Sequence, residues 1–200
     1  ITGAASGFGE GIAKKFSEEG AKLILVDINK DLLEKVSKDL NQDLFHTDVS
    51  SSSSMKKLSE YVLKKYRTID IMVNNAGITH LPKPLEEVEE EEFDKVFAVN
   101  SKSVFLCGKY FVPHMKKQKK GSILNISSTA GISPRPNLNW YNASKGWMIT
   151  ATKAMAVELA PFNVRVNSLA PVAGETPLLK SFLGEDTPER RKAFLSTIPI

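Results

Sequence analysis

The chain has 200 residues, of which 42% are hydrophobic and 25% are charged, close to the average of soluble globular proteins. This length and composition favour one domain, residues 1–200, with a sizeable core. The longest apolar runs have the length of a strand, far below the roughly 20 residues that a membrane helix needs, so no membrane segment is expected. No signal peptide is visible, and the lone Cys107 has no partner for an internal disulfide. Both features predict a cytoplasmic protein.

The formal charge of +4 is mild, and the basic residues are spread along the chain apart from the run at 116–120. That run follows an apolar helical segment, so a solvated helix end is its simplest interpretation. No basic face with interleaved aromatic residues is readable, which argues against a nucleic-acid partner. His46, His80 and His114 are far apart and lack the spacing of metal ligands, so no metal site is predicted.

Short β-branched runs alternate with longer segments of helical period along the chain. This alternation predicts βαβ units and an α/β fold, a doubly wound parallel sheet covered by helices on both faces. The strands are nearly continuous in apolar character, as expected for strands that are buried on both sides. The predicted strands are 22–27, 43–48, 69–75, 122–127 and 164–170, and the predicted helices lie near 8–19, 30–40, 52–66, 90–116 and 140–160.

Both ends of the chain lie close to predicted sheet strands. Only Ile1 precedes a glycine-rich turn of the kind that follows a strand, and no strand follows 164–170 before Ile200. We therefore expect the domain to be incomplete at both ends, with its terminal strands in a longer gene product.

The glycine-rich turn is the first motif that suggests a ligand. Gly3, Gly7 and Gly9 form the pattern T-G-x-x-x-G-x-G directly before an amphipathic helix. Glycine lets the backbone come close to a pyrophosphate, and the N-terminus of a helix offers free N–H groups to that anion. The pattern fits a dinucleotide site, with a glycine-rich loop that binds no ligand as the alternative.

Asp27 lies at the end of the predicted strand 22–27, eighteen residues after Gly9. A carboxylate there would accept hydrogen bonds from both ribose hydroxyls of an adenosine and would repel a 2′-phosphate. Ile28 follows it, and Ser6 rather than a basic residue stands in the glycine turn. NAD(H) is therefore favoured over NADP(H), while capping of the strand end is the structural alternative for Asp27.

Tyr141 and Lys145 lie four positions apart in WYNASKG, residues 140–146. Residues at this spacing share one face of a helix, so a phenol and an ammonium could meet there. The same spacing occurs at Tyr61 and Lys65, in a segment with the pattern of an ordinary amphipathic helix. The spacing alone therefore does not distinguish a reactive pair from a surface pair.

Short motifs follow one another in a fixed order along the chain. They are TGAASGFG (2–9), the strand-end Asp27, DV (48–49), NNAG (74–77), VN (99–100), NISS (125–128), YNASK (141–145) and VNSLAPVAGET (166–176). Each motif alone is weak, but in this order and spacing the set resembles the short-chain dehydrogenase/reductase family over essentially the whole chain. The resemblance implies a Rossmann-type oxidoreductase that acts on CH–OH groups with NAD or NADP as acceptor.

The resemblance also implies roles for individual residues. Asn100, Ser128, Tyr141 and Lys145 would form the catalytic set, in which Asn100 looks like the helix-breaking residue that anchors a water beside the lysine. A small alcohol or ketone would be the partner, in an enzyme that is most often a homotetramer. The cofactor would be bound by Gly3, Ser6, Gly7, Phe8, Gly9, Asp27, Asp48, Val49, Asn75, Ala76, Gly77, Tyr141, Lys145, Pro171, Gly174 and Thr176.

The position of Ser128 distinguishes the Tyr141–Lys145 pair from the Tyr61–Lys65 pair. It precedes Tyr141 by thirteen residues, as in the family, whereas Asp48 stands thirteen residues before Tyr61. The resemblance implies that Tyr141 takes the hydroxyl proton as the carbinol hydride moves to the nicotinamide, and that Ser128 donates a hydrogen bond to the substrate oxygen. Lys145 and the oxidised nicotinamide would depress the tyrosine pKa by about two units, which requires roughly 2.7 kcal/mol.

The family's substrate loop would correspond to residues 177–200, and loops of this kind are usually mobile and carry specificity. His80, Arg135 and Trp140 are the predicted substrate-pocket residues. Arg135 would either meet a carboxylate or phosphate on the substrate or point into solvent, since it lies between two prolines.

Three functions compete at this stage. The leading one is an NAD(H)-dependent dehydrogenase for secondary alcohols, sugars or hydroxy acids and the matching ketones. The second is an NADPH-dependent 3-oxoacyl-acyl-carrier-protein reductase, which shares the catalytic set and against which Asp27 counts. The third, a non-catalytic nucleotide-binding scaffold, is disfavoured because the complete catalytic set is present.

Overall fold

The computed structural model describes residues 1–196 and residue 198, and within them five strands alternate with eight α-helices. The strands are β1 Ile24–Asp27, β2 Asp43–His46, β3 Ile71–Asn74, β4 Gly121–Ile126 and β5 Val164–Leu169. The helices are α1 Gly7–Glu18, α2 Lys30–Leu40, α3 Ser52–Tyr66, α4 Glu90–Phe97, α5 Ser103–Gln118, α6 Asn139–Leu159, α7 Pro177–Leu183 and α8 Pro188–Ser196. Short 3-10 turns occupy Leu85–Glu87, Thr129–Gly131 and Ala160–Phe162.

All strand pairs are parallel: β1 pairs with β2, and β3, β4 and β5 pair in that order. The segment Ile1–Thr2 joins the two groups, because the Val26 N–H donates to the Ile1 carbonyl at 2.9 Å and the Thr2 N–H donates to the Val73 carbonyl at 3.0 Å. The spatial order is therefore β2, β1, residues 1–2, β3, β4, β5. This arrangement confirms the predicted doubly wound parallel sheet, and a ligand cleft is expected beyond the strand ends where the order reverses.

Apolar side chains from both layers bury the sheet. One core cluster is built around Met55 of α3, Met115 of α5 and Ile123 of β4, all with no exposed surface, and a second around Leu25 and Leu33. Such burial supplies most of the stability of a fold of this size. No helix in the described part of the chain is both long enough and apolar enough to cross a membrane.

The predicted helix near 90–116 differs from the structure in its middle. A π-helical turn at Ala98–Lys102 separates α4 from α5, so Asn100 widens the helix without breaking it. The cause is tertiary: the Asn100 side chain bonds the backbone N–H and carbonyl of Ile78, both at 2.9 Å. Such π turns occur often at functional sites.

The predicted loop at 177–200 contains two helices instead. Pro177 opens α7, a position where its fixed φ and missing N–H cost nothing, and Gly184 ends it with a φ of 73°. Arg191 of α8 holds the connection by bonding Asp186 and Glu175, the latter at 2.8 Å. Residues 197, 199 and 200 of the predicted loop lie outside the described residues.

Candidate active site

The glycine turn lies against the strand ends at the point where the sheet order reverses. Gly3 and Gly7 have φ angles of 64° and 57°, a conformation that favours glycine. At Gly9 the requirement is space, since an added Cβ would lie 1.9 Å from the Gly3 carbonyl oxygen. The Thr2 hydroxyl accepts hydrogen bonds from the N–H groups of Asn75 and Ala76, at 3.0 and 3.1 Å. The turn and the strand end of β3 are thus fixed together.

The N-terminus of α1 opens towards the cleft. Ser6 occupies the N-cap position with no side-chain hydrogen bond to the helix, so the first N–H groups of the helix have no capping oxygen from that residue. Free N–H groups and the positive end of the helix dipole suit a pyrophosphate. Together with the close approach at Gly9, this geometry fits a dinucleotide at the turn.

Asp27 ends β1 at the edge of the cleft. Its two carboxylate oxygens accept hydrogen bonds from the backbone N–H groups of Ala5 and Asn29, at 3.0 and 2.9 Å. Each oxygen of a carboxylate has a second lone pair, so both remain able to accept from a ligand hydroxyl. The strand-end cap and the ribose acceptor are therefore compatible roles for the same side chain.

A cleft of about 470 Å³ lies between the glycine turn, the strand ends and α6 and α7. Of the predicted cofactor residues all but Gly9, which is buried behind the turn, lie on its wall. They are Gly3, Ser6, Gly7, Phe8, Asp27, Asp48, Val49, Asn75, Ala76, Gly77, Tyr141, Lys145, Pro171, Gly174 and Thr176. The loop after β5 closes one side, where a Cβ on Gly174 would lie 2.5 Å from the Phe8 ring.

Lys145 is fixed by two hydrogen bonds to residues at the end of β4. Its ammonium donates a hydrogen bond to the Ile126 carbonyl at 2.8 Å, and its own carbonyl accepts one from the Ser127 hydroxyl at 3.0 Å. The side chain is buried, and this burial lowers the pKa of Lys145 to about 8. Part of the lysine population is therefore neutral near physiological pH, so a proton can move to or from its Nζ.

Tyr141 corrects one expectation. Burial raises the pKa of Tyr141 above its ordinary value, and a hydrogen bond with the Ser128 hydroxyl opposes this rise. Lys145 does not lower it here, because the ammonium lies 5.9 Å from the ring centre and is directed at the Ile126 carbonyl. Lys145 alone therefore does not depress the pKa of the phenol as expected, and the share expected from the oxidised nicotinamide stays a prediction.

Asn100 lies behind the cleft wall, with no exposed surface. Besides its two bonds to Ile78, its amide donates to the Ser144 hydroxyl at 2.9 Å, and Ser144 donates to the Tyr141 carbonyl at 2.7 Å. An added Cβ on Gly77 would lie 3.5 Å from Asn100 Oδ1 and 3.3 Å from Lys145 Nζ. The structure therefore brings Asn100 close to Lys145, which lines the cleft together with Ser128 and Tyr141.

The second tyrosine–lysine pair occupies the surface. The exposed Lys65 ammonium donates to the Tyr61 hydroxyl at 3.5 Å and forms an ion pair with Asp43. These side chains lie on α3, and neither Tyr61 nor Lys65 contributes to the 470 Å³ cleft. Contact between a phenol and an ammonium is thus not what marks the candidate site.

The three predicted substrate-pocket residues lie off the cleft wall. His80 is buried, and its Nδ1 bonds the Leu81 carbonyl at 2.8 Å. Trp140 packs edge-on against the Phe93 ring at 5.5 Å. The Arg135 guanidinium lies 4.1 Å from the centre of the Phe194 ring on α8. Trp140 and Arg135 thus contact rings distant in sequence, whereas His80 bonds the carbonyl of the next residue.

Several site residues were not predicted. Ser144 stands inside the YNASK motif, and its position before Lys145 was a readable signal. Phe182 contacts the Tyr141 ring edge-on at 5.1 Å, and Lys95 lines the cleft from α4. No sequence spacing connects Phe182 or Lys95 to the motifs, because only the packing of α7 and α4 brings them there.

Comparison with known proteins shows which family the chain belongs to. The family described as short chain dehydrogenase matches residues 1–186. The chain is 40% identical to 4-formylbenzenesulfonate dehydrogenase of Comamonas testosteroni, with 100% of this chain and 82% of the relative covered. It is 42% identical to 3-oxoacyl-[acyl-carrier-protein] reductase of Thermotoga maritima, over 100% and 81% of the two chains. A Brucella melitensis 3-ketoacyl-(acyl-carrier-protein) reductase solved with NADH matches with 45% identity and a TM-score of 0.93, over 100% and 81%.

The fold and the site thus define an oxidoreductase that acts on CH–OH groups with a nicotinamide dinucleotide. The chain belongs to the short-chain dehydrogenase/reductase family.

Proposed function

We propose that the protein is an NAD(H)-dependent dehydrogenase that interconverts secondary alcohols, sugars or hydroxy acids and the matching ketones. The observation that carries the choice of NAD(H) is Asp27, whose carboxylate is fixed at the cleft edge by Ala5 and Asn29. A 2′-phosphate beside a carboxylate would be repelled, whereas a ribose hydroxyl would donate to it. The exposed residues Ile28 and Asn29, which directly follow Asp27, carry no positive charge that would offset that repulsion.

In this proposal each catalytic side chain has one task. A bound nicotinamide dinucleotide supplies the acceptor or donor of the hydride. Tyr141 takes the alcohol proton at its phenol oxygen, or gives one back to a ketone. Ser128 donates a hydrogen bond to the substrate oxygen, where charge changes most. Lys145 lies on the same cleft wall, where its Nζ can hold or release a proton, and Asn100 fixes the backbone of Ile78 on that wall.

One side of the cleft is apolar, which favours a small substrate with an apolar part. Leu178, Leu179 and Phe182 of α7 line it next to Tyr141. Apolar walls of this kind exclude water from the reacting oxygen and strengthen the hydrogen bonds made to it. By family analogy we also propose a cytoplasmic homotetramer.

A second candidate, a 3-oxoacyl-acyl-carrier-protein reductase, is favoured by a specific observation. Two of the relatives carry such names, one of them at 45% identity, and that one was solved with NADH. The cofactor argument from Asp27 therefore weighs against an NADPH enzyme but not against an NADH-dependent reductase of this class.

The test is a spectrophotometric assay of the full-length gene product. NAD+ and NADP+ are each offered with secondary alcohols, sugars, hydroxy acids and 3-hydroxyacyl thioesters. Turnover with NAD+ on a non-thioester alcohol is expected. Turnover confined to thioesters would establish the second candidate, and an absence of turnover with every compound would favour a non-catalytic scaffold.

A further inference from the structure

We propose that Gly131 is a positioning residue, whose missing side chain lets α6 approach the Thr129–Gly131 turn closely enough to hold Ser128 beside Tyr141. This inference rests on the proposed function, because it concerns the proton transfer assigned to Tyr141. Gly131 does not line the cleft, so its effect must pass through the residues that do.

Ser128 and Gly131 belong to one rigid turn. The Gly131 N–H donates to the Ser128 carbonyl at 3.0 Å, and the Ala130 N–H donates to the Ser128 hydroxyl at 3.1 Å. The Thr129 N–H ties the same turn to the Pro171 carbonyl at 3.0 Å. A displacement of Gly131 from α6 is therefore transmitted to Ser128.

The contact between the turn and α6 leaves no room for a methyl group at Gly131. An added Cβ would lie 2.7 Å from the Gly146 nitrogen, 2.7 Å from the Lys145 carbonyl carbon and 2.9 Å from the Lys145 oxygen. All three are backbone atoms of a helix, so no side-chain rotation can relieve the overlap. The turn and the helix must separate.

Separation at this point changes the reactive geometry. Tyr141 and Lys145 move with α6, while Ser128 moves with the turn. The Ser127 hydroxyl and the Ile126 carbonyl, which hold Lys145 at 3.0 and 2.8 Å, also stay with β4. A displacement of about 1 Å at a reacting group can lower the rate by up to about 100-fold.

Gly146 offers a matched control in the same contact. A Cβ added at Gly146 would lie 3.5 Å from the Gly131 oxygen, an ordinary van der Waals distance. Alanine also suits the interior of a helix better than glycine. Gly146→Ala adds the same methyl group from the opposite side without forcing the two elements apart.

The experiment compares unaltered enzyme, Gly131→Ala, Gly146→Ala, Ser128→Ala and the Gly131→Ala/Ser128→Ala double variant. Their kcat and KM are measured against pH for the best alcohol of the panel with NAD+, together with the Kd of ADP-ribose. ADP-ribose lacks the nicotinamide and reports on the part of the cleft around the glycine turn and Asp27. It therefore shows whether each variant keeps the folded cofactor site.

We expect Gly131→Ala to lower kcat about 10- to 100-fold, with the Kd of ADP-ribose unchanged within about twofold. Because Ser128 opposes the raised pKa of Tyr141, the pH at which alcohol oxidation becomes fast should rise in this variant. Gly146→Ala should behave as unaltered enzyme. In the Ser128→Ala background, Gly131→Ala should lower kcat by less than it does alone, since the two changes share the loss of the Ser128–Tyr141 interaction.

Three results would overturn the inference. The first is a Gly131→Ala enzyme with unaltered kcat and pH profile, and the second is full additivity with Ser128→Ala. The third is loss of ADP-ribose binding, which would make Gly131 a residue needed for folding. An unaltered enzyme without any turnover would instead overturn the proposed function, and the inference with it.

Discussion

Lys145 and Tyr141 share one face of α6, yet the ammonium lies 5.9 Å from the phenol ring centre and donates its hydrogen bond to Ile126 instead. On the surface, Lys65 reaches the Tyr61 hydroxyl directly, at 3.5 Å. The difference lies in burial, which penalises the charged form of both Lys145 and Tyr141. The candidate site thus holds two groups whose proton affinities are governed by exclusion from water.

Lys145→Met should stabilise the ligand-free protein at neutral pH. The pKa of the lysine falls from an ordinary 10.5 to about 8, so between these values the unfolded chain binds more protons than the folded one. Stability of the unaltered protein therefore rises with pH across this window, and the buried ammonium costs about 3 kcal/mol below it. Urea unfolding at pH 7 and pH 10 measures the effect.

The advantage of Lys145→Met should shrink at the higher pH. Lys153→Met, at an exposed lysine on the same helix, controls for the effect of the substitution itself. Equal stability of Lys145→Met and unaltered protein at both pH values would show that the ammonium is not desolvated.

Phe182→Ala should shift the pH profile of alcohol oxidation to lower pH. The Phe182 ring covers Tyr141 at 5.1 Å, and its removal admits water that stabilises the phenolate and so lowers the pKa of Tyr141. The KM for small alcohols should rise, because part of the apolar wall is lost. Phe105→Ala, an exposed phenylalanine on α5, controls for the substitution itself. An unshifted profile would mean that Phe182 does not shield the phenol.

Asp27→Asn should weaken NAD+ selectively. Loss of a charged hydrogen bond to a ribose hydroxyl costs about 1.5–3 kcal/mol, which corresponds to a KM for NAD+ that is roughly 10- to 100-fold higher. The KM for NADP+ should fall, because the repulsion of the 2′-phosphate is removed. Asp31→Asn, on the exposed first turn of α2, should change neither value. Steady-state kinetics with NAD+ and NADP+ measure these changes. A preference of the unaltered enzyme for NADP+ would contradict the role proposed for Asp27.

Arg135→Ala should leave KM unchanged for every substrate that the enzyme accepts. The guanidinium lies over the Phe194 ring and off the cleft wall, so its loss should loosen α8 rather than weaken substrate binding. Faster proteolysis within α8 at unchanged KM is the expected outcome. An increase in KM confined to substrates with a carboxylate or phosphate would return Arg135 to the substrate site.

The doubly wound sheet was predictable from local patterns, because short apolar runs in the sequence indicate the strands. The predicted strand 122–127 differs from β4 by one residue at each end. The π turn was not predictable, because its cause is the contact of Asn100 with Ile78 across the fold. The helices α7 and α8 were missed because a family resemblance suggested a loop there, although Pro177 and Gly184 were readable helix boundaries.

The candidate site, like the fold, has a part that was predictable from the sequence and a part that was not. The order and spacing of the motifs were sufficient to predict a shared site for the glycine turn, Asp27, Ser128, Tyr141 and Lys145, which line one cleft. The directions of Arg135 and Trp140 depend on Phe194 and Phe93, which no local pattern connects to them. The raised pKa of Tyr141 likewise follows from burial, a property of the packed structure.

The most direct test of the central claim is the turnover of Tyr141→Phe with NAD+ and the best alcohol of the panel, measured beside Tyr61→Phe. Both variants remove one hydroxyl from a tyrosine that precedes a lysine by four residues. The account predicts that Tyr141→Phe loses turnover while its affinity for NAD+ stays within a few fold, and that Tyr61→Phe keeps full activity. Normal turnover in Tyr141→Phe would contradict it.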